Sequence, residues 1–322
     1  MKKTMVRLLA ATAFLVSTVT HAAWPERPIT LVVPWPPGGG VDASARIVAP
    51  LLSQQLGQQV IVLNKPGATG SLGAESVAKG TPDGYTLLWT ALSTHVIHSV
   101  LYGKVVPYDL EKDFIPLSVF GDIPYMIVVN PKVPAHSVAE LISLAKAQPG
   151  KLTFGSSGNG SVHHLASERL KKSANIELLH IPYKGIGPLL VDLVAGQIDM
   201  SIESTAASLQ YIKSQKLRAL AVAWPERIPS LPDVPTAAEV GLGDFRVSST
   251  LFVAAPASTP APVVKRLDGA IKNVFSDKGL QSKLLGLSII AGYVSPEDSA
   301  RMVHEEMTTV RTIVRDANIQ VD

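Results

Sequence analysis

The sequence contains no cysteine. That excludes a disulfide scaffold, a thiolate zinc site and a cysteine nucleophile, and leaves no residue on which a bacterial lipoprotein anchor could be built. Charge is sparse as well, with Asp, Glu, Lys and Arg making up 17% of the 322 residues. The small basic excess, 29 Lys and Arg against 26 Asp and Glu, sits entirely in the first 22 positions, which hold Lys2, Lys3 and Arg7 and no acid. The remainder carries 26 residues of each sign. A balanced body lacks the basic face that phosphate backbones require, so no nucleic-acid partner is expected. Long apolar runs are also scarce. The conspicuous one, over residues 8–19, is shorter than the roughly 20 residues of a membrane-spanning helix.

That run has a second reading. It follows a basic flank and precedes Thr20-His21-Ala22, which places small residues at the −3 and −1 positions of a cleavage site. The pattern is that of a signal peptide over residues 1–22, cleaved after Ala22. A periplasmic protein without a lipid anchor is expected. Export makes cytosolic cofactors poor candidates, and no cofactor is expected.

Downstream, β-type apolar runs alternate with helical periodicity. Residues 29–33 form a short strand-like run, a Pro/Gly turn follows, and Ala45, Val48, Leu52 and Leu56 recur at helical spacing before Gly57. Further strands are predicted over 60–63, 85–89, 126–129, 152–154, 178–181, 198–202, 217–223 and 248–254. Ser137 and Glu140 form a capping box before the helix that carries Leu141 and Leu144. Residues 227–235 read as a proline-rich connector, and the tail from Val263 reads as helical with a break near 292–296. Strands alternating with helices predict an α/β fold with a doubly wound, mostly parallel sheet. The plan occurs twice, which predicts two similarly built lobes. Residues 23–123 with 248–322 are assigned to the first and 124–247 to the second, with hinge strands near 122–126 and 247–252.

The glycines carry the chemical information. Pro37-Gly38-Gly39-Gly40, Gly67-Ala68-Thr69-Gly70, Ser156-Ser157-Gly158-Asn159-Gly160-Ser161 and Lys184-Gly185 each follow a strand and precede a helix. In a parallel sheet such loops lie at the strands' carboxyl ends, where open α/β sheets bind ligands. Glycine admits close backbone approach, and the first turn of a helix offers free N–H groups at the positive end of its dipole. Four such loops predict a cleft for a small anion that needs no fixed Arg or Lys. Trp35, inside the first loop, and Tyr183, at the start of another, are candidate cleft walls. Asp42 reads as a first-turn residue with a ligand contact as the alternative. Glu203, just after a strand, would repel a second carboxylate or accept an amine or hydroxyl if it faced the cleft.

Three other chemistries have candidate residues. Ser156 or Ser157 with His164, or with His163, and with Asp199 as orienting acid, could form a hydrolase, but the frame Gly155-Ser156-Ser157-Gly158 departs from the G-x-S-x-G elbow. His95 and His98, three apart, lack a third metal ligand at convincing spacing. The 156–161 loop lacks the Gly-Lys-Ser/Thr of a P-loop.

Ordered motifs run through nearly the whole chain after the leader. They include Trp24-Pro25-Glu26-Arg27-Pro28-Ile29, Val32-Val33-Pro34-Trp35-Pro36-Pro37-Gly38-Gly39-Gly40-Val41-Asp42, Asn64-Lys65-Pro66-Gly67-Ala68 and Asp83-Gly84-Tyr85-Thr86-Leu87. The second half contributes Gly155-Ser156-Ser157-Gly158, His164-Leu165-Ala166, Pro182-Tyr183-Lys184-Gly185, Gly196-Gln197-Ile198-Asp199 and Leu231-Pro232-Asp233-Val234-Pro235. In these the sequence resembles the Bug/TctC family, the extracytoplasmic solute receptors of tripartite tricarboxylate transporters. The resemblance implies a two-lobed, type II-like periplasmic binding protein that is not an enzyme. It implies a small carboxylate ligand held largely by backbone amides and water, and transient docking on a tripartite tricarboxylate-type permease. A periplasmic sensor docking on a kinase ectodomain is the alternative use, and a monomer is expected. Two departures from the family pattern mark where the ligand's distal end would be read: His98-Ser99 after Ser93-Thr94-His95, and Glu203-Ser204-Thr205 after Asp199.

Overall fold

The computed structural model describes residues 24–317 and 319. The expected leader therefore lies outside the described residues. Among the described residues no helix is long and apolar enough to cross a membrane.

The first half begins with strand β1 (Ile29–Val33), helix α1 (Gly40–Leu56), β2 (Val60–Asn64), α2 (Ser71–Ala78), β3 (Thr86–Ala91) and α3 (Leu92–Tyr102). Strand β4 (Phe114–Val129) leads into α4 (Val138–Ala147), β5 (Thr153–Ser156), α5 (Val162–Ala174), β6 (Leu179–Pro182), α6 (Ile186–Ala195), β7 (Met200–Ser204), α7 (Thr205–Lys213) and β8 (Arg218–Val222). The chain then returns through β9 (Ser248–Pro256), α8 (Ala261–Phe275), α9 (Lys278–Leu285), β10 (Ile290–Ala291) and α10 (Pro296–Asp316).

The sheet order is β2-β1-β3-β9-β4-β7-β5-β6, with β8 and β10 also paired to β4. Strands β2, β1 and β3 run parallel, as do β6, β5 and β7, whereas every pairing of β4 and β9 is antiparallel. The sheet is thus mixed, with a parallel triad at each end. Each triad keeps the geometry expected of ligand-side loops, because its three carboxyl ends lie on one edge.

Strand β4 joins the two ends. Its first part pairs with β9 as far as Pro124 against Ser248, and its last part pairs with β7 and β8 from Tyr125 onward. Separate apolar clusters lie on the two sides of this junction. Trp89 stacks on Phe120 at 4.0 Å in the first, where its indole N–H donates to Ser44 Oγ at 3.0 Å. In the second, Phe154 packs with Ile127, Val129, Leu141 and Leu170. Trp89, Phe120 and Phe154 are wholly buried, and truncating one such ring to alanine costs about 3–5 kcal/mol.

Local signals end the helices as read from sequence. Gly57 closes α1 in the left-handed conformation, and Ser137 caps α4 by accepting from Glu140 N–H. Helix α3, like α7, is not among the elements expected from sequence. Its segment mixes Ser, Thr, His and Val, all weak helix formers. It follows β3 without a loop, and Leu92, Val96 and Ile97 bury its inner face.

Candidate ligand-binding cleft

A cavity of about 300 Å³ opens between the two parallel triads. One wall consists of Trp35, Thr69 and a face of α3, and the other of Tyr125, Ser157 and residues 159–163. No Asp, Glu, Lys or Arg is among its lining residues.

The first wall is built from the bottom up. Thr90, at the end of β3, accepts from Trp35 Nε1 at 3.3 Å and pairs with His95 Nε2 at 2.8 Å. His95 Nδ1 pairs with the Tyr108 hydroxyl at 2.6 Å. His95 is 0% exposed, and burial holds its imidazole down to about 3 while pushing the Tyr108 hydroxyl up to about 12. The chain that fixes Trp35 is therefore neutral. Gly70 closes it from below: at φ +88°, an added Cβ would lie 3.2 Å from His95 Cε1 and 3.3 Å from Trp35 Cζ2. Next to it, Ala68 (φ 46°) and Thr69 (φ 53°) occupy the left-handed region that L-residues avoid.

The first glycine loop is braced rather than open. The buried Asp42 carboxylate accepts from Gly38 N at 2.9 Å, Asn64 Nδ2 at 2.9 Å and Arg46 Nε at 3.0 Å. Arg46 is the main cause of its carboxyl being held down to about 2. Asn64 Nδ2 also donates to Trp35 O at 3.0 Å. Asp42 thus supports the loop from beneath. Pro37, Gly38, Gly39 and Gly40 are exposed and line no part of the cavity. Within this loop Trp35 is the residue that reaches it.

On the second wall, much of the 156–161 loop is tied to itself. Gly158 N donates to Ser156 Oγ at 3.2 Å, Ser161 N to Gly158 O at 3.2 Å, and Gly160 N to His164 Nδ1 at 3.0 Å. Ser156 is buried and its hydroxyl pairs with His180 Nε2 at 2.6 Å, while His164 stacks on His180 with ring centroids 4.0 Å apart. Burial holds both rings down to about 4. Ser157, Asn159, Gly160 and Ser161 face the cavity, together with the first turn of α5, whose leading N–H groups have no intrahelical partner.

Among the described residues, Ser157 also makes the one serine–histidine contact that reaches a buried acid. Its Oγ lies 2.9 Å from His163 Nδ1, and His163 Nε2 lies 3.3 Å from Glu203 Oε1. His163 is 5% exposed and Glu203 0%. Glu203 is thus behind His163 and does not line the cavity. The hydrolase reading loses its geometry here: neither serine pairs with His164, and the Asp199 carboxylate clamps Thr153 N and Oγ1 at 2.8 Å each. In Ser157-His163-Glu203 the imidazole is turned opposite to a serine hydrolase, in which Nε2 faces the nucleophile and Nδ1 the acid.

Other expected residues lie outside the cavity. Tyr183 turns back to donate from its hydroxyl to Asp192 at 2.8 Å, and Lys184 and Gly185 do not line the cleft. Ser93 is buried behind it, accepting from Thr250 N at 3.1 Å beside the strand junction. His98 lines the cavity, with Nδ1 2.9 Å from Ser71 Oγ. The residues that sequence reasoning omitted include Val162 on α5 and Ile97, Leu101 and Tyr102 on α3. With Thr94 and His98 the α3 residues repeat at intervals of three and four, the spacing of one helix face. That signal was present in the sequence without any indication of what the face met.

Comparison with known proteins gives the family. BugT of Bordetella pertussis is 34% identical, with 98% of this chain and 99% of BugT aligned. An R. palustris protein solved with adipate is 34% identical at a TM-score of 0.79, covering 92% of this chain and 99% of that one. MatC of Rhodopseudomonas palustris, solved with bound malate, is 31% identical at a TM-score of 0.74, covering 90% of this chain and 100% of that one. Residues 44–319 match the family described as the tripartite tricarboxylate transporter family receptor, and with relatives that align over almost its whole length this chain belongs to that receptor family, whose members bind solutes rather than transform them.

Proposed function

We propose that this protein is a periplasmic receptor that captures a small carboxylate between its two lobes, closes on it by hinge bending and delivers it to a tripartite tricarboxylate-type membrane permease. The observation that carries this reading is the composition of the cavity: apart from Tyr125 on β4, both walls follow the carboxyl ends of parallel strands, and its polar groups are neutral donors and two histidines. Such a site holds an anion by oriented dipoles and hydroxyls without a fixed counter-charge. Adipate and malate, found in two similar proteins, share carboxylate groups on a short carbon chain. The apolar Ile97, Leu101 and Val162 beside the donors suit such a body.

Closure is assigned to two lobes, residues 23–123 with 248–322 and residues 124–247. The chain passes between them in β4 and at 245–249, where Tyr125 N donates to Val247 O at 3.0 Å. A ligand anchored on one wall gains the contacts of the other only in the closed form, and this difference in affinity shifts the population.

A thermal-shift screen of mono-, di- and tricarboxylates tests the reading. The melting temperature should rise with ligand concentration, corresponding to about 2.7 kcal/mol at a hundredfold excess over Kd. Ser157→Ala should reduce that shift far more than Lys184→Gln, since Ser157 lines the cavity and Lys184 does not. No response to any carboxylate would remove the basis of the proposal.

A further inference from the structure

Behind the cavity wall lies a polar chain that carboxylate binding alone does not require. Ser157 faces the ligand space, His163 stands behind it and the wholly buried Glu203 behind His163. Glu203 Oε1 accepts from Ser201 Oγ at 3.1 Å. Glu203 Oε2 and His163 Nε2 are both buried without a hydrogen-bond partner, although Nε2 lies 3.3 Å from Oε1. Burying unpartnered polar atoms is costly, so their retention here needs an explanation.

The explanation lies in counting protons. With Glu203 ionised and His163 neutral, the ring proton belongs on Nε2, because an Nε2 lone pair facing a carboxylate would be repelled. Nδ1 is then an acceptor, the Ser157 hydroxyl donates to it, and Ser157 presents only lone pairs to the cleft. One added proton reverses this. If it makes His163 an imidazolium, Nδ1 carries a hydrogen; if it protonates Glu203, the acid donates to Nε2 and the ring hydrogen moves to Nδ1. In either case Nδ1–H donates to Ser157 Oγ, and the hydroxyl hydrogen of Ser157 is free to point at the ligand.

We propose that Ser157-His163-Glu203 is a proton switch that sets whether the cleft offers a ligand a hydroxyl hydrogen or a lone pair, so that an ionised carboxylate binds with uptake of a proton. The groups facing His163 leave room for this role. From β7 it meets Glu203; from β4 it meets the edge of the Tyr125 ring, at a centroid distance of 5.5 Å; from α3 the cavity receives His98. Burial, with the Glu203 charge as a lesser cause, pushes the Tyr125 hydroxyl well above its ordinary value, so it stays neutral. Burial lowers His98. On its own helix, His164 is turned to His180, and Glu168 is paired with Lys171. Among the lining residues His98 and His163 alone can become cationic, and of these His163 has an acid behind it.

This inference rests on the carboxylate reading, and its test separates the two. Adipate is the probe, since above pH 6.5 its carboxyl groups are ionised. Calorimetric titration of the wild-type protein in phosphate and in Tris should differ in apparent enthalpy by the heat of transferring up to one proton. Adipate affinity should then fall about tenfold per pH unit above the switch's transition. Ser157→Ala should bind more weakly and lose the proton uptake, because the switch no longer meets the ligand. Glu203→Gln should flatten the pH dependence. In ligand-free protein labelled with 15N-histidine, the His163 Nδ1 signal should pass from unprotonated to protonated as pH falls. Adipate binding with no buffer dependence, or uptake unchanged in Ser157→Ala, overturns the coupling. An Nδ1 that keeps one state from pH 5.5 to 9 overturns the switch whether or not adipate binds. A protein in which Nδ1 titrates but adipate and the wider carboxylate screen give no binding overturns the carboxylate reading and supports the switch.

Discussion

His95 is a neutral histidine sealed beneath the cleft, and acid should expose that fact. The perturbation is a fall from pH 7 to pH 5 in wild-type protein and in His95→Gln. In the fold the imidazole is held down to about 3 by burial, whereas in the unfolded chain it titrates near 6.5. Between those values the unfolded state binds the extra proton, so the stability contributed by the neutral ring is present above 6.5 and lost as pH falls. Over this interval the loss is about 2 kcal/mol for a fully buried ring. Gln can still offer one donor and one acceptor to Thr90 and Tyr108 but cannot titrate. His164 and His180 act in the same direction, and Glu306, pushed up to about 7 by burial, acts in the opposite one. These contributions are common to both proteins and cancel in the difference. Urea denaturation at the two pH values should therefore show His95→Gln less stable at pH 7 but losing about 2 kcal/mol less on acidification. Equal pH sensitivity in the two proteins would refute the assignment of a buried, neutral His95.

Two further substitutions test the supports of the first wall. Thr69→Gly relieves a left-handed φ of 53°, worth about 1 kcal/mol once the added freedom of glycine in the unfolded chain is subtracted. A higher urea midpoint together with weaker adipate binding is expected, and a lower midpoint would show that the conformation is not strained. Asp42→Ala removes the shared acceptor of Gly38, Asn64 and Arg46, and should cost about 3 kcal/mol in denaturation experiments. A loss below about 1 kcal/mol would mean that the brace under Trp35 is not needed.

Several groups expected at a ligand are already engaged by partners within the fold. The amides of Gly158, Gly160 and Ser161 are the clearest case, because they are engaged in holding their own loop. Glycine content predicts that a backbone can approach a ligand, and it is silent on whether the amides are already used. Asp42 and Tyr183 follow the same rule: a carboxylate or phenol near a ligand loop takes whichever partner the fold brings first, Arg46 and Asn64 for one and Asp192 for the other. Helix α3 failed in the other direction. Its stripe of Thr94, Ile97, His98, Leu101 and Tyr102 carries helical spacing, yet its propensity is weak and its packing on the strands decides that it forms.

By itself the sequence determined the alternation of strands and helices, the glycine and serine signals that bound them, the absence of formal net charge after residue 22, and the family resemblance. These are local or compositional properties, set by backbone freedom, capping and side-chain periodicity within a few residues. The tertiary structure alone decided that β4 carries both ends of the sheet and that Trp35 rests on a neutral Thr90-His95-Tyr108 chain. It also decided that Ser157 leans on His163 and Glu203 rather than on His164. Residues 157, 163 and 203 belong to a loop, a helix and a strand, and which ring nitrogen meets which oxygen depends on how those elements pack, a relation no local pattern encodes.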